Sequence, residues 1–448
     1  MVEPTLRRNG PGGGTPPPGR WREARAGDPR DLAEVGWAVV FAAADREAAA
    51  VREALRPLLQ LRREQACRDG RALYRELCCE EGYRRGESKQ AFLARHGVGP
   101  GPVEPGRMPY YLLLVGDPES LPYSFQYQLD VQYAVGRVWF ETLEEYRRYA
   151  RSVVAAERGM ARREPRVALF APRHPDDPKT AVTVGRLARP LADWLAAEHI
   201  DWTTEVAFGD DATRPRLGRW LGGDDTPALL FTAGHGLLFP GGHPRQRPFQ
   251  GALVCREWPG PRAWSGPIPV EQAFSADDVG DDASPHGLIA FHFACYSAGT
   301  PADDDFCYGR PPARLAPQGF LARLPQRLLG HPRGGALAVV GHVERAWECS
   351  IEWPETGQQT RVFEDALDRL LAGYPIGAAM QPFGARYAEL SSDLSVELAE
   401  LLHGRGPDET ALAAMWTACN DARNFTVVGD PAVRLVATGA ASLSDRAQ

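Results

Sequence analysis

The chain has 448 residues, of which 44% are hydrophobic, and carries 51 Lys and Arg against 58 Asp and Glu, for a net charge of −7. That is apolar material for two or three domains or one large α/β unit. It lacks the basic balance of a nucleic-acid binder, and no apolar stretch approaches the roughly 18 residues of a membrane span. Residues 1–30 are rich in Gly, Pro and Arg, cannot bury apolar area, and are expected to be disordered. A short strand is expected at Trp37-Ala-Val-Val-Phe-Ala-Ala, then a helix over 46–68 with Val51, Leu55, Leu58, Leu59 and Leu61 on one stripe. Residues 110–115 form a continuous apolar run closed by Gly116-Asp-Pro118, the pattern of a buried parallel strand and a turn. A strand over 131–138 and a helix over 141–158, capped by Thr142, complete a first α/β unit, residues 31–160. A second alternation starts with a strand at 166–171, a helix over 181–198, a strand over 202–207 and an apolar strand over 228–232. A loop of about 236–285, rich in Gly, Pro and Asp, follows, and such long loops inside a compact domain are usually functional. Strands over 288–294 and 336–340, helices over 359–373 and 377–402, and a last strand over 425–428 close this second unit, residues 161–437. A flexible tail over 438–448 is expected. The alternation gives an α/β fold with a mostly parallel sheet.

Eight cysteines are scattered without a CxxC pair, which fits neither a disulfide framework nor a zinc site. No apolar h-region follows the N-terminal residues, so no signal peptide is expected, and a reduced cytoplasmic protein is the expectation. Lysine is confined to Lys89 and Lys179, which reads as the codon bias of a GC-rich genome.

Two apolar runs end in reactive side chains. Leu229-Leu-Phe-Thr-Ala-Gly-His235-Gly236 ends in an imidazole, and Ile289-Ala-Phe-His-Phe-Ala-Cys295-Tyr-Ser-Ala-Gly299 ends in a thiol. In open α/β sheets, sites lie beyond the carboxyl ends of strands. A thiol needs a nearby base to become the attacking thiolate. His235 is therefore the expected base and Cys295 the expected nucleophile of acyl transfer. Gly236 leaves the backbone open to close approach. His292 is expected to be a core histidine, and no metal is expected. His342, at the end of the next strand, is expected to line the cleft. Trp347 and Trp353 are candidate aromatic walls or core residues. Asp303, Asp304 and Asp305 follow the Cys295 loop, and Asp277, Asp278, Asp281 and Asp282 precede its strand. They could form a rim favouring Arg or Lys, stay solvated, or hold calcium, although no EF-hand spacing is present. Asp117 and Asp130 read as turn and strand-end residues.

The chain resembles the gingipain-like and caspase-like cysteine peptidases. The resemblance rests on Thr-Ala-Gly-His235-Gly, Phe-Ala-Cys295-Tyr-Ser-Ala-Gly, Tyr111-Leu-Leu-Leu-Val-Gly-Asp-Pro118, Tyr133-Ala-Val-Gly-Arg-Val138, Gly335-Ala-Leu-Ala-Val-Val-Gly-His-Val343 and Val428-Gly-Asp-Pro431, and spans about residues 35–436. It implies a caspase-like, gingipain-type three-layer α/β/α fold with two tandem subdomains. It also implies a cysteine endopeptidase with an oxyanion hole at the backbone of Gly236 and Cys295, and cleavage after Arg or Lys. In the family the pocket carboxylate comes from the segment before the long helix, here Pro172-Arg-His-Pro-Asp-Asp-Pro178, which leaves Asp176 and Asp177 both open as that group. No third group orienting His235 is identifiable from the sequence, and many members of the clan work as a dyad.

The expected partners are a protein or peptide substrate and, since clan members are often held inactive, an activating protein; nucleic acid and membrane are not expected. The loop at 236–286 and the Arg-rich N-terminus are candidate self-cleavage segments, cut after Arg. Two other readings compete: a catalytically idle caspase-like module that binds in a defence or signalling assembly, and a non-peptidase hydrolase or transferase using the same thiol. Retention of both His235 and Cys295 argues against the idle module.

Overall fold

A computed structural model of the chain describes residues 27–437, apart from 309–310, 354–355 and 405–408. Most of the expected N-terminal disorder and the C-terminal tail lie outside the described residues. Residues 27–30, however, are ordered: Arg30 bonds Asp28 side chain to side chain at 2.9 Å, and the Arg30 carbonyl accepts from Arg434.

Ten strands form one sheet. In chain order they are β1 (Trp37–Phe41), β2 (Tyr74–Leu77), β3 (Tyr111–Val115), β4 (Ala134–Val138), β5 (Arg166–Ala171), β6 (Thr203–Phe208), β7 (Leu229–Ala233), β8 (Ile289–Phe293), β9 (Ala338–His342) and β10 (Phe425–Gly429). Their spatial order is β2-β1-β3-β4-β10-β9-β8-β7-β5-β6. Pairing is parallel from β2 through β4 and from β9 through β6, while β10 lies antiparallel to β9. The two units thus share one sheet, and the C-terminal strand sits at their junction, where Val428 meets Arg137. Gly136 permits that junction, because a Cβ there would lie 2.2 Å from the Gly429 carbonyl oxygen.

Side chains alternate between the faces of a strand, and the two faces of β1 and β3 enter different cores. Trp37, Val39, Phe41, Tyr111, Leu113 and Val115 join the main core with the helices Ala48–Ala66 and Leu143–Glu157. Ala38, Val40, Leu112 and Leu114 join a second core with Phe92, Leu93 and Phe125. Both faces are covered, so these strands read as continuous apolar runs. The edge strand β2, Tyr-Arg-Glu-Leu, is largely half-buried and has no such run. Thr142 caps its helix as expected, in a reciprocal capping box with Glu145. The helix expected over 181–198 starts earlier, at Asp177-Pro178, and contains a π turn over Thr183–Ala188.

A buried ion pair fastens the first unit to the chain after β10. Asp430 accepts from Trp37 Nε1 at 2.9 Å and from Arg62 Nε at 2.7 Å, and Arg62 also reaches Glu157 at 3.0 Å. Removing one partner of such a pair typically costs about 3–5 kcal/mol, because the other charge is left buried and uncompensated. No described helix is long and apolar enough to cross a membrane.

Candidate active site

Cys295 follows β8, the strand between β7 and β9. His235 follows β7, and Gly234 N–H fixes that end by donating to the Phe293 carbonyl at 3.1 Å. The parallel register Ala233↔Phe293 brings the two exits level. His235 and Cys295 line one cleft, together with Lys179, Thr180, Trp347 and Glu348. Gly236 is required where it stands: a Cβ would lie 1.9 Å from the Cys295 carbonyl oxygen. Among the described residues neither the Gly236 nor the Cys295 N–H donates to a backbone carbonyl; Cys295 lines the cleft and Gly236 lines the groove beside it.

The carboxylate behind the imidazole is Asp177. Its Oδ2 lies 2.6 Å from His235 Nε2, and its side chain is only 6% exposed. Burial pushes the Asp177 carboxyl up, but the hydrogen bond and charge of His235, with Thr180 Oγ1 and Lys179 N–H, hold it below its ordinary value. This corrects two expectations: a third group does orient His235, and Asp177 is not free to meet a substrate side chain. Its local role was visible, as an N-cap before Pro178 at the first helical position. Its partnership with His235, 58 residues away, has no local signature. The neighbouring Asp176 is exposed, has φ +56°, and lies 3.9 Å from Arg262, outside the cleft lining.

Cys295 is half-buried at the cleft floor. Burial pushes its thiol up; Ala346 N–H, at 3.3 Å from Sγ, draws it back, Asp421 adds to the rise, and Lys179 and Arg345 oppose it. The net direction is upward, so the resting group is a thiol that needs a base. The turn after it is tight. Tyr296 has φ +59° and its N–H donates to the Glu344 carbonyl at 2.5 Å, while Ser297 Oγ donates to the Ala294 and His292 carbonyls.

His342 does not line the cleft. It is fully buried, with Nε2 3.1 Å from Asp421 Oδ1, because the chain after β9 folds over it. Trp347 does line the cleft, whereas Trp353 packs in a separate cluster with Leu390 and Leu412. His292 is a core histidine: Nδ1 is 2.8 Å from Thr232 Oγ1, and burial drives its pKa down to about 3. Asp303 pairs with Arg314 at 2.8 Å and Asp305 with Arg423 at 2.8 Å, while Asp304 pairs with Arg345. Each of these carboxylates is thus paired with an arginine, and none lines the cleft that holds Cys295. Among the described residues no group of three or more His, Cys, Asp or Glu is arranged to hold a metal. The loop after His235 is folded, with the strands Leu253–Val254 and Ala273–Phe274 pairing over a core of Leu237, Val254 and Trp258. It forms an apolar groove beside His235, lined by Leu238, Phe239, Ile268 and Tyr296.

No protein-family model matches the sequence, and no curated protein is significantly similar to it. Solved structures do match in fold. The Arg-specific cysteine proteinase gingipain R, RgpB, superposes with a TM-score of 0.53 at 13% identity, over 90% of this chain and 78% of that one. The complex of the Porphyromonas gingivalis RgpB pro- and mature domains gives 0.50 at 13% identity, over 90% and 80%. A structure described as a protease gives 0.50 at 12% identity, over 90% and 79%. The chain therefore has the gingipain, caspase-like fold.

Proposed function

We propose that this protein is a cysteine endopeptidase. The observation that carries the reading is the Asp177–His235 hydrogen bond at 2.6 Å at one wall of the cleft whose floor is Cys295. With Nε2–H given to Asp177, the lone pair of His235 is on Nδ1. Nδ1 takes the Cys295 proton as Sγ bonds the scissile carbonyl carbon. The developing oxyanion is held by the N–H groups of Gly236 and Cys295. The imidazolium then protonates the leaving amine, and the C–N bond breaks to leave a thioester. A water molecule, deprotonated by His235, attacks the thioester carbon and restores the thiol. Asp177 holds the ring and stabilises the imidazolium, as the carboxylate does in serine-protease triads.

Substrates in this reading are proteins or peptides. A preference for Arg or Lys before the cut rests on Glu348, the carboxylate lining the cleft, and Lys179 on the same cleft opposes it. The expected preference is accordingly weaker than a buried, unopposed carboxylate would give. The raised Cys295 thiol fits an enzyme whose activity depends on an activating partner. Eight free cysteines suit a reducing compartment, and we place the protein in the cytoplasm. The test is a diverse fluorogenic peptide library with wild type and Cys295→Ala, with and without calcium. Turnover confined to the wild type supports the peptidase; a silent wild type whose Cys295 also ignores a thiol probe refutes it.

A further inference from the structure

The wall of the cleft facing the nucleophile is the segment after β9. Its Ala346 N–H donates to Cys295 Sγ at 3.3 Å. The segment has one short turn of its own, Glu348–Ser350, so its position must come from elsewhere. Two side chains supply it: Arg386, which donates to the Cys349 carbonyl at 2.6 Å and to Ser350 Oγ at 3.2 Å, and Asp421, on the helix Glu409–Arg423. The carboxylate is fully buried and accepts from Trp347 N–H at 2.9 Å, the Cys349 thiol at 3.5 Å and the Ser350 hydroxyl, while His342 Nε2 is hydrogen-bonded to the Asp421 main-chain carbonyl at 3.1 Å and lies 3.1 Å from Oδ1. Trp347 follows Ala346 directly and Ser350 closes the turn, so the carboxylate ties the segment from the residue next to Ala346 to the turn's end, while the main chain of residue 421 holds His342 at the end of β9.

We propose that Asp421 is the positioning residue of the nucleophile, fixing the 346–350 wall so that Ala346 N–H stays aimed at Cys295 Sγ. The consequence for turnover rests on the peptidase reading; the consequence for the thiol does not. The two routes by which Asp421 acts on Cys295 have opposite signs. Through space its charge disfavours the thiolate, whereas through Ala346 it favours it. Lys179 and Arg345, the other charges acting on Cys295, are untouched by a change at 421. Asp421→Asn keeps the size but removes the charge and turns one acceptor into a donor facing Trp347 N–H or the Ser350 hydroxyl. If charge alone mattered, this variant would have a more reactive thiol; if the wall matters, a less reactive one.

The experiment follows iodoacetamide alkylation of Cys295 against pH in the full chain, localised by mass spectrometry, beside thermal unfolding and peptide turnover. The expected result for Asp421→Asn is alkylation at neutral pH slowed about tenfold, a thiol titration moved to higher pH, and kcat lowered about tenfold with KM nearly unchanged, since small misplacements near the chemistry cost that much or more. Ser350→Ala, which keeps the charge and loses one donor, should shift the thiol the same way by less. Faster or unchanged alkylation in a folded Asp421→Asn protein overturns the proposal. Should that variant not fold, an unshifted thiol in Ser350→Ala overturns it instead. A shifted thiol in a protein that cleaves no peptide keeps this proposal and removes the peptidase reading.

Discussion

Two histidine–aspartate pairs flank Cys295, one at the end of each neighbouring strand, and they differ in almost everything except chemistry. His235–Asp177 follows β7 at 2.6 Å, with side chains 26% and 6% exposed. His342–Asp421 follows β9 at 3.1 Å, with both side chains fully buried. Among the described residues His342 Nδ1 finds no hydrogen-bond partner and is sealed away from solvent. Burial pushes the Asp421 carboxyl up, but His342, Arg386 and Ser350 hold it below its ordinary value. The outer pair opens on the cleft. The inner pair is a joint between β9, the wall and a helix. Solvent access therefore separates a pair that the proposed mechanism uses as its base from one that can only hold structure.

Four experiments would break or sharpen that contrast. The largest effect is on turnover: Cys295→Ala and His235→Ala should each lower kcat by at least about 10⁴-fold, as loss of a triad member does. If His235→Ala keeps most of its activity, the outer pair is not the base. Next, Asp177→Asn should lower kcat by about 10²- to 10⁴-fold through the wrong tautomer, while leaving Cys295 alkylable. Wild-type turnover in that variant would return Asp177 to a purely structural role. Third, urea unfolding should separate the pairs. His342→Ala should lose about 3 kcal/mol, because it leaves a cavity where a fully buried ring stood and removes a buried hydrogen bond, whereas His235→Ala should lose less than about 1 kcal/mol. Equal losses would erase the distinction.

The smallest effect concerns Glu344, beside the inner pair. It is fully buried with φ +70°, and burial, with Asp304 nearby, outweighs Arg345 and raises its carboxyl to about 8. Its folded pKa thus lies above the ordinary 4.5. Between these values the folded state binds more protons than the unfolded state, so stability falls as pH rises from about 5 to about 8. Glu344→Gln should flatten that dependence and raise the unfolding temperature at pH 8. An unchanged slope would place the titration elsewhere.

The sheet is largely legible in the sequence. Strands β1, β3, β7, β8 and β9 are each buried along their whole length, and such strands are continuous apolar runs. The edge strand β2 was missed because most of its residues are only half-buried and carry polar groups. Several short helices, such as Tyr123–Asp130 and Arg323–Leu329, were missed because one or two turns give too little periodicity. The strand end that carries His342 was read correctly, but not its burial, because the wall and the helix Glu409–Arg423 that cover it arrive later in the chain.

The sequence by itself determined the parallel α/β sheet and the two strand ends that present His235 and Cys295, because burial on both faces and a glycine after the imidazole are local requirements. Only the tertiary structure decided which aspartate serves which histidine. Asp177 and Asp176 are adjacent and identical in type, yet the chain turn at φ +56° sends one inward to the imidazole and the other out to solvent. A carboxylate's role follows from what it faces and how dry that place is, and neither is written within a few residues of the carboxylate.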